Sequence, residues 1–129
     1  MDPEKLMDLA RKAMNDAYAP YSGFKVGAVV LTKSGKVFTG FNIENASYGL
    51  SICAEMVAIF KAISEKEDLG AIAIASKSGN SQPCGTCRQV MIEFNPNAEV
   101  YYLKNGKLVM TTASQLLPES FNAASLNNS

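Results

Sequence analysis

Residues 53–66 read C-A-E-M-V-A-I-F-K-A-I-S-E-K, a helical segment that is apolar nearly all round. Five residues later, A-I-A-I-A-S (71–76) is a short, continuous apolar run. A helix with no broad polar face is one that the rest of its domain covers. An unbroken apolar strand belongs to the interior of a sheet with both faces covered. The middle of this chain therefore forms the core, and the flanking segments must cover it.

Those segments supply suitable elements. Residues 2–18 have the spacing of an amphipathic helix, with Asp2 as N-cap, Pro3 in the first turn, and Leu6, Leu9, Ala10, Ala13 and Ala17 on one face. F-K-V-G-A-V-V-L (24–31) and V-F-T-G-F-N-I-E (37–44) are strands joined by the turn signal K-S-G-K, which makes a hairpin. Residues 45–50 are a loop. Pro83 opens a helix that runs from Cys84 to about Phe94. E-V-Y-Y-L (99–103) and L-V-M-T-T (108–112) flank Asn105-Gly106 as a final hairpin, and 113–118 form a short helical turn. The order α-β-β-α-β-α-β-β predicts a three-layer α/β/α domain with a five-stranded mixed sheet. One domain is expected over residues 1–121, followed by a polar, flexible tail over 122–129.

Charge and composition exclude several classes. Twelve basic and twelve acidic residues balance, and no basic run offers an electrostatic footprint for nucleic acid. No stretch approaches the roughly 20 apolar residues of a membrane span. The first 18 residues carry acidic side chains and lack the apolar region of a signal peptide, so a cytoplasmic location is expected. Three cysteines, an odd number, do not make a disulfide framework.

The cysteines carry the chemistry. Cys84 and Cys87 in P-C-G-T-C share one helical face, and both lie in the first turn, where free N–H groups favour thiolate. Cys53 stands at the head of the other central helix. Soft sulfur ligands favour Zn²⁺ over magnesium or calcium. A structural zinc site is closed by four protein ligands, yet the chain has three cysteines and no histidine. Three ligands and an open position make the catalytic pattern, in which bound water reaches a pKa of about 7. Glu55, two residues from Cys53, is placed to carry protons. Taken singly, a C-x-x-C pair also suits a redox site or half a zinc ribbon, and a free cysteine also suits a core.

With C-A-E at 53–55 and P-C-G-T-C at 83–87, the chain carries the all-cysteine form of the zinc deaminase signature. It resembles the cytidine deaminases of the small, homotetrameric type. The likeness extends through 19–55, P-C-G-T-C-R-Q-V-M (83–91) and L-L-P-E-S-F (116–121). The resemblance implies one Zn²⁺ per subunit on Cys53, Cys84 and Cys87, with Glu55 as a proton shuttle that is not a ligand. It implies that Phe24 packs on the base, that the Ala54 N–H meets the base carbonyl, and that Asn42 and Glu44 hydrogen-bond the ribose. It also implies that neighbouring subunits complete each pocket through Ala46, Tyr48 and Phe121. The implied activity is hydrolysis of cytidine and deoxycytidine to the uracil nucleosides and ammonia, in pyrimidine salvage.

Met56 departs from the resemblance, which places an arginine beside the zinc thiolates at that position. Zn²⁺ on three thiolates is net negative, and a cation nearby would offset that charge. Helix dipoles and backbone N–H groups, and Arg88 next to Cys87, are the candidate substitutes. Met56 also motivates an alternative substrate, a modified cytosine such as an N4-substituted cytidine or blasticidin S. A non-catalytic zinc-stabilised binding protein is a third reading, opposed by Glu55 and by the missing fourth ligand. Outside the resemblance, Phe24 reads as a core strand residue, Asn42 as turn chemistry and Glu44 as a solvated charge.

Overall fold

The computed structural model describes residues 1–126. Its elements follow the expected order: α1 (Pro3–Met14), β1 (Val26–Thr32), β2 (Val37–Phe41), α2 (Ala54–Ser64), β3 (Leu69–Ser76), α3 (Gly85–Phe94), β4 (Glu99–Lys104), β5 (Lys107–Thr112) and α4 (Ala113–Leu116). One sheet runs β2-β1-β3-β4-β5. It is mixed, because β3 and β4 are parallel while the other neighbours are antiparallel. The fold is the predicted three-layer α/β/α domain with five strands.

Alternation along the central strands sorts the two faces. Val29, Ala71, Ala73, Ala75, Tyr101 and Leu103 bury one face under Leu6, Met7 and Ala10 of α1. Ala28, Val30, Ile72, Ile74 and Val100 bury the other under α2 and α3. Asp2 caps α1 by accepting from the Lys5 N–H at 2.9 Å, and Pro3 occupies the first turn as expected. In the last hairpin Asn105 and Gly106 both have positive φ, 51° and 77°, the backbone a two-residue turn of this kind needs.

Several boundaries differ from expectation. Helix α1 ends at Met14 rather than near residue 18, because the chain turns there and Tyr18 forms a bridge to Ile43. Strand β2 stops at Phe41, where the Asn42 side chain takes over the hydrogen bonding. Pro83 precedes α3, and Cys84 is its N-cap. Helix α2 is buried through Ala54, Glu55, Ala58, Ile59 and Ala62, but its outer side is open, and Phe60 is 43% exposed. The segment expected to be a flexible tail begins with a one-turn helix, α5 (Ala123–Leu126). The rest of that segment, 127–129, lies outside the described residues.

Candidate active site

Helices α2 and α3 flank β3 in sequence, and both begin at its carboxyl end. Parallel sheets open ligand crevices at the carboxyl ends of their strands. Cys53 and Cys84 are the N-caps of α2 and α3, and Cys87 lies one turn into α3. The Sγ atoms of Cys53 and Cys84 are 3.9 Å apart, and those of Cys84 and Cys87 3.6 Å apart. All three lie within 4.8 Å of one another. Tetrahedral zinc with Zn–S bonds of about 2.3 Å separates its sulfurs by about 3.8 Å, so the cluster fits the ion.

The thiols differ in environment. Hydrogen bonding from Cys87 and then from Cys84 outweighs burial and lowers the Cys53 pKa to about 6. Cys87, buried and donating to Cys53, is pushed well above the usual thiol range. A bound dication would favour the thiolate form of its sulfur ligands.

Glu55 is only 5% exposed, in the first turn of α2. Burial raises its pKa to about 7, and the neighbouring Cys53 pushes in the same direction. Glu55 lies in the wall of a cavity of about 540 Å³ that also includes Phe24, Asn42, Glu44, Cys53, Ala54 and Cys84. The structure thus brings most of the predicted site together around one hollow. Phe24 is 49% exposed there and is not the core residue that strand position alone suggests.

Asn42 and Glu44 also do structural work at the mouth. Asn42 Oδ1 accepts from the Val26 N–H at 2.9 Å, and its Nδ2 donates to the Phe24 carbonyl at 2.8 Å. Glu44 accepts from the Tyr21 and Ser22 N–H groups at 3.0 and 3.1 Å and from the Ser22 hydroxyl. Ser22 in turn accepts from the Phe24 N–H at 3.0 Å. The backbone of Phe24 is therefore held at its carbonyl by Asn42 and at its N–H by Ser22, which Glu44 holds in turn.

Ala46, Tyr48 and Phe121 are exposed and lie outside this cavity. Tyr48 instead edges a second hollow of about 290 Å³ that shares Glu44 and Ser51 with the first. Met56 is half-buried against the α2–α3 core. Arg88 does not reach for the sulfurs. Its Nε donates to the Pro83 carbonyl at 2.8 Å and its Nη1 to the Leu116 carbonyl at 3.0 Å. Its guanidinium clamps the loop leading into Cys84. Eight wall residues lie outside the site expected from sequence, Ile74 and Ser81 among them. Ile74 carries only the alternation of a strand, and Ser81 looks like any loop serine.

The profile of the cytidine and deoxycytidylate deaminase zinc-binding region matches residues 1–104. The chain belongs to this family. Among curated relatives, the cytidine deaminase of Halalkalibacterium halodurans is 48% identical, with 99% of this chain and 100% of the relative covered. That of Sporosarcina psychrophila is 43% identical, with 98% and 96% covered. Among solved structures, the cytidine deaminase of Burkholderia pseudomallei superposes with a TM-score of 0.87 at 46% identity, covering 94% of this chain and all of that one. The Mycobacterium tuberculosis enzyme gives 0.82 at 36% identity, covering 94% and 98%. The zinc reading of the three sulfurs agrees with the family's zinc-binding region.

Proposed function

We propose that this chain is a zinc-dependent deaminase converting cytidine and deoxycytidine, with water, to uridine and deoxyuridine plus ammonia. One observation carries the reading: a buried, protonatable Glu55 stands beside three convergent sulfurs in the wall of a nucleoside-sized hollow. When bound, Zn²⁺ supplies a Lewis acid that makes water nucleophilic at neutral pH. Cys53, Cys84 and Cys87 hold the ion. The Glu55 carboxyl takes a proton from the attacking water and gives it to the ring nitrogen of the base, then takes the second from the new hydroxyl on the ring carbon and delivers it to the amine, which departs as ammonia. The carboxyl acts as base and acid in turn, and its burial in the cavity wall favours the protonated form that the acid role needs. The ring of Phe24 packs on the base, the Ala54 N–H meets the base carbonyl, and Asn42 and Glu44 take the ribose hydroxyls.

The catalytic unit spans residues 1–121 and works as a homotetramer in the cytoplasm, with no nucleic-acid or membrane partner. Support for assembly comes from apolar side chains left open on one chain: Tyr48 is 76%, Leu50 71% and Phe121 62% exposed. Ala46, Tyr48 and Phe121 would then complete a neighbour's pocket. Free cysteines suit a reducing compartment. Among the described residues, no helix is long and apolar enough to cross a membrane. The modified-cytosine alternative is not favoured, since full-length relatives at 43–48% identity are named cytidine deaminases.

Ammonia release by the zinc-loaded protein tests the reading on cytosine, cytidine, deoxycytidine and an N4-substituted cytidine. The two plain nucleosides are the expected substrates. Zinc-loaded protein that is inert on both refutes it.

A further inference from the structure

Strands β3 and β4 pair at Ala71↔Glu99, Ile72↔Val100 and Ala73↔Tyr101, and there the ladder stops. Yet β3 continues to Ser76 and β4 to Lys104. The buried side chain of Ser81, 5% exposed, fills the gap beyond the last rung. Its hydroxyl donates to the Ile74 carbonyl at 2.7 Å and accepts from the Leu103 N–H at 2.8 Å. Its own N–H donates to the Leu103 carbonyl at 2.9 Å. Two more bonds continue along the end of β4 and its turn: Asn105 N–H to Asn80 Oδ1 at 2.9 Å, and Gly106 N–H to the Gly79 carbonyl at 2.9 Å. The loop returning from β3 thus docks on β4 as a strand-like strip, with one hydroxyl spacing it from β3.

That spacing falls at the cavity. Ile74, Ser81 and Cys84 all lie in its wall, and Cys84 follows Ser81 by three residues. A direct bond between Ile74 and Leu103 would close the sheet where the hollow now opens. Cys84 is the exposed member of the cysteine cluster, and its side chain caps no helical N–H. Packing does little to hold it, so its place depends on the anchors of its loop. Those anchors are Ser81 and, next to the ligand itself, the Arg88 clamp on Pro83.

We propose that Ser81 is a positioning residue for the metal ligands: its hydroxyl is the spacer that fixes the Cys84 loop and holds the cavity wall open. The inference rests on the reading of Cys53, Cys84 and Cys87 as the zinc site. A hydroxyl can donate once and still accept, and Ser81 does both with backbone groups. Alanine there leaves the Ile74 carbonyl and the Leu103 N–H without partners in a buried place. The strands then close on each other or the loop slides, and either movement displaces Cys84.

The test measures zinc release from the holoprotein into an excess of a colorimetric chelator. Ser81→Ala and Ser81→Val are compared with Ser81→Thr, which keeps the hydroxyl in the shape of valine. Asn95→Ala serves as control, because Asn95 Nδ2 makes a comparable bond to the Leu69 carbonyl, 2.8 Å, at the opposite end of β3. Groups supporting metal ligands typically change metal affinity by about 10–100-fold when removed. Release about 10–100-fold faster is expected in Ser81→Ala and Ser81→Val, with Ser81→Thr and Asn95→Ala near wild type. If Ser81→Ala does not fold, the threonine and valine pair decides. Equal release from that pair, or equal acceleration by Asn95→Ala, overturns the role of Ser81. Wild type that takes up no zinc overturns the metal reading beneath it instead.

Discussion

Replacing Gly40 by alanine should disturb catalysis without touching a catalytic group. A Cβ on Gly40 would stand 2.5 Å from the Ala54 carbonyl oxygen and 2.6 Å from the Ala58 nitrogen, both backbone atoms of α2. Ordinary contact begins at 3.4 Å, so helix and sheet must separate by about 0.9 Å at this crossing. The contact falls on the first turn of α2, which carries Glu55 and follows Cys53. A displacement of about 1 Å at a reacting centre costs on the order of 10²-fold in rate. Gly27→Ala is the matched control. Its Cβ would meet the Ala10 oxygen at 2.0 Å and the Met14 nitrogen at 2.4 Å, on α1, which covers the other face and bears no site residue. Neither glycine has a positive φ, so alanine acts through its methyl group alone. Both variants should lose about 1–3 kcal/mol of stability to overpacking. Only Gly40→Ala should lose kcat as well, by roughly 10–100-fold. Urea titration and ammonia release at saturating cytidine measure the two effects. Undiminished kcat in folded Gly40→Ala, or an equal loss in Gly27→Ala, would refute the steric coupling of β2 to the site.

Glu55→Gln should bind zinc as wild type does and lose about 10²–10⁴-fold in kcat, and near-normal turnover would remove Glu55 from its role. Arg88→Ala frees the Pro83 and Leu116 carbonyls and should cost about 1–3 kcal/mol in urea unfolding, with unchanged stability as the contrary result. Glu44 has its pKa held below the ordinary 4.5 by the Ser22 hydroxyl, the Ser22 N–H and the Tyr21 N–H. A depressed carboxylate stabilises the fold above its unfolded pKa, and that contribution is lost as pH falls through the lower folded value. The protection factors of the Tyr21 and Ser22 amides, corrected for the intrinsic pH dependence of exchange, should therefore hold down to 4.5 and fall only below it; protection lost already at higher pH would contradict this.

Local pattern was sufficient for much of this molecule. The apolar run at 71–76 and the nearly all-apolar helix after Cys53 demanded a covered central layer, and Asp2-Pro3 and Asn105-Gly106 marked a helix start and a hairpin. These signals survive because they depend on backbone sterics and on side-chain spacing within a few residues. The metal cluster was legible for a similar reason: sulfur at the head of two helices has a narrow chemical use. The outer side of α2 misled, since composition does not say whether Phe60 meets its own domain or lies open beside it.

Tertiary structure alone decided which polar groups serve the site. Arg88 was the natural candidate to offset the thiolates, yet its guanidinium holds two backbone carbonyls. Asn42 and Glu44 spend hydrogen bonds on the backbone of the segment around Phe24, at Tyr21, Phe24 and Val26, across 16 to 23 residues. Ser81, unremarkable in N-S-Q-P, spaces two strands because β3 and β4 part at Ile74 and Leu103. Residue type sets what a side chain can donate, accept or ligate. Which partner receives it depends on backbone groups brought close by chain closure, and no short window of sequence contains them.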